Sequence, residues 1–204
     1  MAYDMTMGNR AKEIKLQKNE LREQYREKRA ALPPEEKLRR DAELTRKFLS
    51  SASFRYYDTF LLYAARDGEA DVRGIAEAAL AAGKKVAYPR CAAEEHEMTF
   101  HYVSSLDDLT PGTYGIKEPP EDAPVFDPKS SGAVCLVPGF VFDRRGYRIG
   151  YGKGYYDRYL SAFCGVSTGV VYSDFIVPSL PCGKYDLHTD MLLSEKGVRT
   201  VAEN

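Results

Sequence analysis

A glycine-rich stretch at residues 146–157, which reads GYRIGYGKGYYD, constrains this chain more than any other segment. Glycine has no Cβ and tolerates a positive φ, so backbone N–H groups in such a loop can converge on an anion. Arg148 and Lys153 add positive charge, and Asp157 adds a hard oxygen of the kind that Mg²⁺ takes. The stretch therefore favours a polyphosphate site over the alternative, a glycine-rich surface turn between a strand and a helix.

The stretch fits neither of the two commonest nucleotide-binding motifs. Walker A requires G-x-x-x-x-G-K-[ST], whereas here Gly146 precedes Gly152 by six positions and Lys153 is followed by Gly154. The dinucleotide-binding pattern requires G-x-G-x-x-G, whereas Gly150, Gly152 and Gly154 are spaced two apart. What remains is a loop that can wrap phosphates and that leads into a predicted helix, whose first N–H groups add further donors.

The composition argues for one domain with balanced charge. At 204 residues the chain has the size of a single domain and can bury a core without disulfides. Its 29 Lys and Arg residues balance 30 Asp and Glu residues, so it lacks the basic field that nucleic-acid binding requires. The four cysteines are scattered, with no C-x-x-C pair, which favours reduced structural thiols.

The N-terminal residues and the hydropathy of the chain bear on the cellular compartment of the protein. No window approaches 18 consecutive apolar residues, and residues 1–13 lack the apolar core of a secretory signal. We therefore expect a cytoplasmic monomer with no membrane partner and no nucleic-acid partner. The basic segment LREQYREKR at residues 21–29 is an alternative nucleic-acid element, but its interleaved glutamates count against that role.

Hydrophobic periodicity predicts an α/β fold. The predicted elements, in chain order, are a flexible tail at 1–10, helices at 11–32 and 33–48, a strand at 59–65, a helix at 72–82, strands at 84–89, 98–103 and 133–137, a helix at 155–163, and strands at 166–172, 191–194 and 198–201. Strands that alternate with helices indicate a parallel sheet. The sequence thus predicts a single three-layer α/β/α domain over residues 11–204, with a mostly parallel central sheet and an N-terminal helical pair.

Charged residues outside the glycine-rich stretch are further candidates for the site. Lys18 and Arg22 lie four apart on the first helix and share a face, which is either a solvated face or a second grip on phosphate. Glu69 follows a predicted buried strand, and ligands in parallel sheets bind at the carboxyl ends of strands. Asp186 or Asp190 could join Asp157 on a metal, or could cap a turn.

Two tyrosines in the glycine-rich stretch and one histidine after it can each be interpreted in two ways. Tyr155 and Tyr156 are either core aromatics at a helix start or cleft residues that stack on a heterocycle or donate a hydroxyl. His188 is a proton carrier by residue type alone, and a satisfied surface histidine is the simpler interpretation.

The segment at residues 137–160 closely resembles the signature of the 5-formyltetrahydrofolate cyclo-ligase (5,10-methenyltetrahydrofolate synthetase) family. That signature is roughly P-G-x-x-F-D-x-x-G-x-R-[LI]-G-x-G-x-G-Y-Y-D, and such a run of fixed positions is highly specific. The matching residues are Pro138, Gly139, Phe142, Asp143, Gly146, Arg148, Ile149, Gly150, Gly152, Gly154, Tyr155, Tyr156 and Asp157.

The resemblance extends over nearly the whole chain. Lys18-x-x-Leu21-Arg22 is similar to the family's N-terminal K-x-x-L-R, and residues 115–119 are similar to its central G-x-x-E-P. Glu69 and Asp186 fall where the family has a glutamate and a late aspartate. Two places depart from the pattern. Residues 70–72 read Ala-Asp-Val where many members carry threonine, and Tyr151 replaces an arginine found in some members.

What the resemblance implies is an ATP- and Mg²⁺-dependent ligase of one-carbon metabolism that closes 5-formyltetrahydrofolate to 5,10-methenyltetrahydrofolate. The alternative is a non-catalytic nucleotide- or folate-binding module of the same fold. By this resemblance the reacting centre comprises Arg148, Lys153 and Tyr155, and Mg²⁺ binds Asp157 and Asp186. The ATP site comprises Lys18, Arg22, Arg148, Gly150, Gly152, Lys153, Gly154, Tyr155 and Tyr156. The folate site comprises Glu69, Tyr114, Tyr151, Gly152, Lys153, Gly154 and Tyr155.

Overall fold

The computed structural model describes residues 2–66, 68–92, 94 and 97–201. Five helices are α1 (Ala2–Ala30), α2 (Pro34–Leu49), α3 (Ala52–Tyr56), α4 (Arg73–Ala81) and α5 (Tyr155–Leu160). The strands are β1 (Thr59–Leu61), β2 (Lys85–Ala92), β3 (Glu97–Val103), β4 (Thr110–Pro111), β5 (Lys117–Glu118), β6 (Ala133–Pro138), β7 (Val141–Asp143), β8 (Arg148–Ile149), β9 (Val166–Val170), β10 (Ile176–Val177), β11 (Met191–Ser194) and β12 (Gly197–Thr200).

A seven-stranded sheet runs through the molecule in the order β12-β11-β9-β6-β1-β2-β3. The five inner strands pair in parallel, and the edge strands β12 and β3 are antiparallel to their neighbours. Parallel neighbours must be joined by long crossovers, which helices supply in this fold. The predicted α/β class with a mostly parallel central sheet is confirmed.

The inner strands are apolar throughout because both of their faces are covered. Successive side chains on a strand point to opposite faces. Phe60 of β1 packs on the α2 and α4 side, where its ring centroid lies 5.7 Å from that of Phe48. Leu61 faces the other side together with Phe100, whose ring centroid lies 4.8 Å from that of Tyr159 on α5. Two clusters on opposite faces give the three layers.

Several element boundaries differ from the sequence-based prediction. The first helix begins at Ala2, so residues 2–10 are helical instead of the flexible tail that was predicted, and Met1 lies outside the described residues. No proline interrupts this stretch, so the helix can extend toward the N-terminus. The division of the chain into a tail and a single domain stays a prediction in other respects.

Several short elements were missed by the sequence analysis, among them helix α3 and the β7–β8 hairpin. Helix α3 lies between the predicted helix at 33–48 and the predicted strand at 59–65, and the Ser51 hydroxyl caps it by accepting from Phe54 N at 3.2 Å. The β7–β8 hairpin was read as loop, since three apolar residues are too few to show a period. That hairpin, with β10, forms a small second sheet and carries the start of the glycine-rich stretch.

Asp143 holds the turn of this hairpin. Its carboxylate is fully buried and accepts from the backbone N–H of Arg145 at 2.9 Å, Tyr147 at 3.1 Å and Leu180 at 3.0 Å. The Arg145 guanidinium pairs with it at 2.8 Å. A buried carboxylate is tolerated when its oxygens are paired in this way. The signature aspartate therefore shapes the loop and lies outside the cleft.

Among the described residues, no helix has the length and apolar character needed to cross a membrane.

Candidate active site

A cleft of about 480 Å³ opens at the carboxyl ends of the central strands, where β1 and β6 finish. It is lined by every residue that the family resemblance assigned to the site: Lys18, Arg22, Glu69, Tyr114, Arg148, Gly150, Tyr151, Gly152, Lys153, Gly154, Tyr155, Tyr156, Asp157 and Asp186. These residues come from α1, the turn after β1, the glycine-rich stretch and a late loop. The structure therefore brings them together from most of the length of the chain.

The glycine-rich stretch reaches the cleft through a turn that needs glycine. Gly152 and Gly154 have φ values of +87° and +74°, in the left-handed region that residues with a Cβ rarely adopt. A Cβ at Gly152 would lie 3.1 Å from Cζ of Arg22. The absence of a side chain at Gly152 thus lets the guanidinium of the first helix lie directly over the loop.

The first helix supplies two cations to the cleft. Arg22 Nε donates to the carbonyl oxygen of Gly150 at 2.7 Å, and burial is the main cause that lowers the pKa of Arg22 from its ordinary value. Lys18 forms an ion pair with Asp186, whose Oδ2 also accepts from Gly183 N at 2.6 Å. These contacts show that the shared face of Lys18 and Arg22 is turned to the cleft, and they remove the alternative of a solvated face.

Arg148 and Asp157 form a second ion pair inside the cleft. Arg148 Nη2 lies 3.1 Å from Asp157 Oδ1, and the arginine side chain is only 5% exposed. Arg148 Nη1 donates to the carbonyl oxygen of Leu187 at 3.0 Å, while Leu187 N donates to Asp157 Oδ1 at 3.1 Å. The three residues tie the start of α5 to the loop that carries Asp186.

The cleft contains a donor set suited to Mg²⁺. The hydrogen bonds and ion pairs of Asp157 use Oδ1, and those of Asp186 use Oδ2, so within the described residues each carboxylate keeps one oxygen without a partner. No group of three or more His, Cys, Asp or Glu side chains in the described part of the chain could hold a metal. Two carboxylates are what Mg²⁺ commonly takes when phosphates and waters complete its shell.

The structure separates the two late aspartates that the sequence left undecided. Asp186 lines the cleft, whereas Asp190 is outside it, and its Oδ2 accepts from the backbone N–H and hydroxyl of Ser167 at 2.8 and 2.7 Å. His188 also lies outside the cleft lining, and its ring packs edge-on against Tyr147 with centroids 5.6 Å apart. Asp190 is therefore structural, and His188 is no candidate for proton transfer in this cleft.

A buried carboxylate marks the other end of the cleft. Glu69 is 3% exposed, and its Oε2 accepts from Arg66 N at 2.7 Å. Its Oε1 is buried and has no hydrogen-bond partner among the described residues. A buried acceptor without a donor is costly, so this oxygen suits a ligand that brings its own N–H group.

Tyr151 lies beside this carboxylate. Burial first, and then the negative charge of Glu69, raise the pKa of Tyr151 to about 12. Its ring packs on Phe140 with centroids 4.7 Å apart, and the Arg66 guanidinium lies 5.3 Å from its centroid. Tyr151 therefore presents a neutral aromatic wall where some family members have a cation.

Two tyrosine hydroxyls meet across the middle of the cleft. The hydroxyl oxygens of Tyr114 and Tyr155 lie 3.3 Å apart, and this hydrogen bond is the main cause that raises the pKa of Tyr155 to about 12. Tyr114 adopts a left-handed conformation with φ of +58°, which is strained for a residue with a Cβ. Burial raises the pKa of Tyr156, whose hydroxyl has no partner in the described structure. Because both shifts are upward, Tyr155 and Tyr156 remain hydrogen-bond donors at neutral pH.

The sequence reading missed part of the lining. The missed residues are Tyr63, Ala64, Arg66, Pro89, Cys91, Met98, Ile116 and Pro138. Arg66 could have been found, because it stands in the same turn as Glu69 just after a buried strand. Cys91 and Met98 carried no local signal, since their place in the cleft depends on the pairing of β2 with β3.

Comparison with known proteins decides the family. The model of the 5-formyltetrahydrofolate cyclo-ligase family matches residues 14–195. This chain belongs to that family. The resemblance seen in the sequence is thus confirmed, and so is the expectation that the chain is an enzyme of the cyclo-ligase type.

Individual relatives extend over most of the chain. The mouse 5-formyltetrahydrofolate cyclo-ligase is 27% identical over 189 residues, which cover 87% of this chain and 93% of the relative. The Escherichia coli K12 protein of the same name is 27% identical over 169 residues, with coverages of 79% and 91%.

A solved structure is also similar. The 5,10-methenyltetrahydrofolate synthetase of Aquifex aeolicus superposes with a TM-score of 0.80 at 32% sequence identity, covering 92% of this chain and 94% of that one.

Proposed function

We propose that this protein closes 5-formyltetrahydrofolate to 5,10-methenyltetrahydrofolate at the expense of ATP, with ADP and phosphate as products. The observation that carries the proposal is the content of one cleft. A cationic glycine-rich loop and two carboxylates lie in the same cavity as a buried carboxylate oxygen that has no partner in the described structure. The first set suits a metal-bound polyphosphate, and the second suits the N–H groups of a pterin.

The chemistry requires that a poor leaving group be activated. The formyl oxygen on N5 attacks the γ-phosphorus of ATP, and the bond to the bridging oxygen breaks to release ADP. The resulting iminium phosphate is attacked at its carbon by N10, phosphate leaves with the former formyl oxygen, and N10 loses its proton. Phosphoryl transfer of this kind demands in-line positioning and charge stabilisation more than covalent help from the protein.

The cations of the cleft hold the polyphosphate. Lys153 and the backbone N–H groups of Gly150, Gly152 and Gly154 cradle it, and Arg148 meets the charge that develops on the transferred group. Lys18 and Arg22 close over it from α1, which is supported by the position of Arg22 above the loop. A guanidinium suits this work because its donors match the geometry of phosphate oxygens.

Asp157 and Asp186 would hold Mg²⁺, because each carboxylate has one oxygen without a hydrogen-bond partner in the described structure. The ion would neutralise phosphate charge and orient the γ-phosphoryl group. Lys18 pairs with the other oxygen of Asp186 and Arg148 with the other oxygen of Asp157, so both cations lie beside the carboxylates that would hold the metal.

The folate occupies the end of the cleft near Glu69. Its pterin N–H groups donate to Glu69, and its ring packs on Tyr151. Tyr155 lies between the two substrates, within 3.3 Å of Tyr114, and donates its hydroxyl near the reacting formyl group. Tyr156 lines the nucleotide side.

Purified protein incubated with 5-formyltetrahydrofolate, ATP and Mg²⁺ tests the proposal. We expect the near-UV absorbance of the methenyl product to rise, with one ADP formed for each product molecule. Folded protein that binds both substrates and yields no absorbance change would instead be the non-catalytic binding module.

We also propose that the protein is a cytoplasmic monomer. The four cysteines are free, as in a reducing compartment, and include the exposed Cys164. Size-exclusion chromatography with light scattering would show a mass near 22.9 kDa for a monomer.

A further inference from the structure

A buried arginine lies behind the Glu69 end of the cleft. Arg29 stands in the last turn of α1, is only 8% exposed, and is not among the residues that line the cleft. Its Nη2 donates to the carbonyl oxygen of Gly139, whereas its Nη1 is buried and has no hydrogen-bond partner within the described residues. A buried guanidinium with an unused donor is costly, and none of the assignments made above explains why an arginine is present here.

Arg29 packs against the turn that carries Glu69. Gly68 immediately precedes Glu69 and has a φ of +72°, and a Cβ on it would lie 3.1 Å from Arg29 Cβ. Both charges act on the hydroxyl of Tyr63: burial raises its pKa, the negative charge of Glu69 raises it further, and the positive charge of Arg29 lowers it. A buried cation therefore lies close behind a buried carboxylate, and each group has one polar atom without a hydrogen-bond partner in the described structure.

Arg29 also supports the aromatic wall at the same end of the cleft. Its Cζ lies 4.7 Å from the ring centroid of Phe140, and that centroid lies 4.7 Å from the ring centroid of Tyr151. The hydrogen bond from Arg29 to Gly139 fixes the backbone directly before Phe140. A cation held against an aromatic face stabilises the position of the ring. The position of Tyr151 thus depends, through Phe140, on Arg29.

We propose that Arg29 is a positioning residue for the folate, an inference that rests on the proposed function. Its charge offsets the buried negative charge of Glu69. Its guanidinium also holds the ring behind Tyr151. The carboxylate acceptor and the aromatic wall are therefore in place when the pterin arrives, while Arg29 itself touches neither substrate.

The position of Arg29 on α1 separates its effect from that of the ATP cations. Arg22 and Arg29 are seven residues apart, which is close to two helical turns, so they share a face and are separated by about 10 Å along the axis. Arg22 lies over the glycine-rich loop, whereas Arg29 lies at the Glu69 end. Loss of Arg29 should therefore weaken folate binding and spare ATP binding.

Calorimetric titration of each substrate alone tests this expectation. Arg29→Gln removes the charge but keeps an amide donor, and it should bind 5-formyltetrahydrofolate roughly ten- to hundredfold more weakly and Mg²⁺-ATP within about twofold of the wild type. Arg29→Lys keeps the charge, and its loss of folate affinity should stay within about fivefold. It carries the same comparison if Arg29→Gln does not fold. Equal losses for both substrates, or unchanged folate affinity, would overturn the proposal.

A neighbouring arginine on the same helix provides the matched control. Arg26 is exposed and pairs with Glu23 at 2.7 Å, and its Cζ lies 5.7 Å from the ring centroid of Phe140. Arg26→Gln should bind folate as the wild type does. A loss in this variant as large as that in Arg29→Gln would show that charge on α1 acts without any specific contact, and it would refute the role of Arg29.

A thermodynamic cycle without ligand tests the link between Arg29 and Glu69. Arg29→Gln should lower the urea midpoint at least twice as far in the wild-type background as in the Glu69→Gln background, because the charge that Arg29 offsets is then absent. A merely structural arginine would lower the midpoint equally in both backgrounds, and that result would overturn the inference.

Turnover separates this inference from the proposed function. Arg29→Gln should raise KM for 5-formyltetrahydrofolate about as far as it weakens binding, and leave KM for ATP within about twofold. If the wild type binds 5-formyltetrahydrofolate but forms no product, the proposed function fails, while the titrations and the urea cycle still decide the role of Arg29. A wild type that does not bind 5-formyltetrahydrofolate would overturn both.

Discussion

Arg148 Nη2 lies 3.1 Å from Asp157 Oδ1, so a phosphate-binding cation and a metal-binding carboxylate of the proposed site hold each other. Lys18 and Asp186 form a second pair of the same kind. Both pairs place opposite charges in a partly buried cleft without leaving either charge unpaired. In the proposed function, the two carboxylates would hold the metal and the two cations would meet the phosphates.

Replacement of Asp157 tests its proposed role as a metal ligand. Asp157→Asn keeps the shape and the hydrogen bond from Leu187 N but removes the charge, so we expect the Mg²⁺ concentration for half-maximal rate to rise about tenfold or more. Initial rates measured against Mg²⁺ at saturating ATP check this. Asp190→Asn, which lies outside the cleft, serves as the control and should titrate as the wild type does. An unchanged titration for Asp157→Asn would remove that residue as a ligand.

Arg22 is expected to contribute more to ATP binding than to folate binding. Its guanidinium lies on the glycine-rich loop, bonded to the carbonyl oxygen of Gly150 at 2.7 Å. Arg22→Ala should raise KM for ATP roughly tenfold, as expected for loss of a charge-assisted contact, with a change of less than about twofold in KM for folate. Lys15→Ala, an exposed position on the same helix, is the control. Comparable losses for both substrates would place Arg22 elsewhere in the mechanism.

Two glycines in the same loop should differ in their tolerance of alanine. Gly152 has a positive φ, and its Cβ would lie 3.1 Å from Arg22 Cζ, whereas a Cβ at Gly150 meets nothing within 4 Å. We expect Gly152→Ala to lower the free energy of unfolding by about 1–2 kcal/mol and to reduce kcat/KM for ATP more than Gly150→Ala does. Urea unfolding and steady-state kinetics measure the two effects. Similar results for the two variants would contradict this account of the loop.

An ion-pair cluster on α2 predicts a pH effect on stability. Arg39 and then Arg40, by hydrogen bonding, lower the pKa of Glu36 from 4.5 to about 2. A depressed folded-state pKa stabilises the protein above the unfolded pKa, and this contribution is lost as the pH falls through the folded value. Glu36→Gln should therefore be less stable than the wild type near pH 6, and the difference should vanish between pH 4.5 and about 2.

Urea unfolding over that pH range measures the difference between Glu36→Gln and the wild type. Glu35→Gln is the control, because Glu35 is the exposed neighbour and forms no ion pair within the described residues. A difference that stays constant down to pH 2 would show that the ion pairs of Glu36 do not account for the effect.

The sequence predicted most of the central sheet, because strands that are buried on both faces appear in the sequence as continuous apolar runs. The apolar runs at residues 59–65 and 133–137 correspond to β1 and β6, although β1 ends at Leu61. Helix α3 and the β7–β8 hairpin were not predicted, because a five-residue helix and a three-residue strand are too short to show a hydrophobic period. The early start of α1 was not predicted, because the first residues of the sequence show no apolar stripe at helical spacing.

Site residues that belong to a sequence motif could be predicted. Site residues whose position depends on tertiary contacts could not. The glycine-rich stretch and Glu69 follow buried strands, so their position at one edge of the sheet could be inferred. The sequence could not decide between Asp186 and Asp190, because both lie in the same turn-rich segment and only their tertiary contacts differ.

The pairing of Lys18 with Asp186 joins residues 168 positions apart in the chain. During synthesis the first helix emerges long before the loop that receives it. A nascent chain that already has β1, β2 and β6 still lacks the carboxylate that pairs with Lys18, so it cannot assemble the complete proposed nucleotide pocket. Ligand competence should therefore arise late on the ribosome, after most of the sheet is in place, and incomplete chains should not consume ATP.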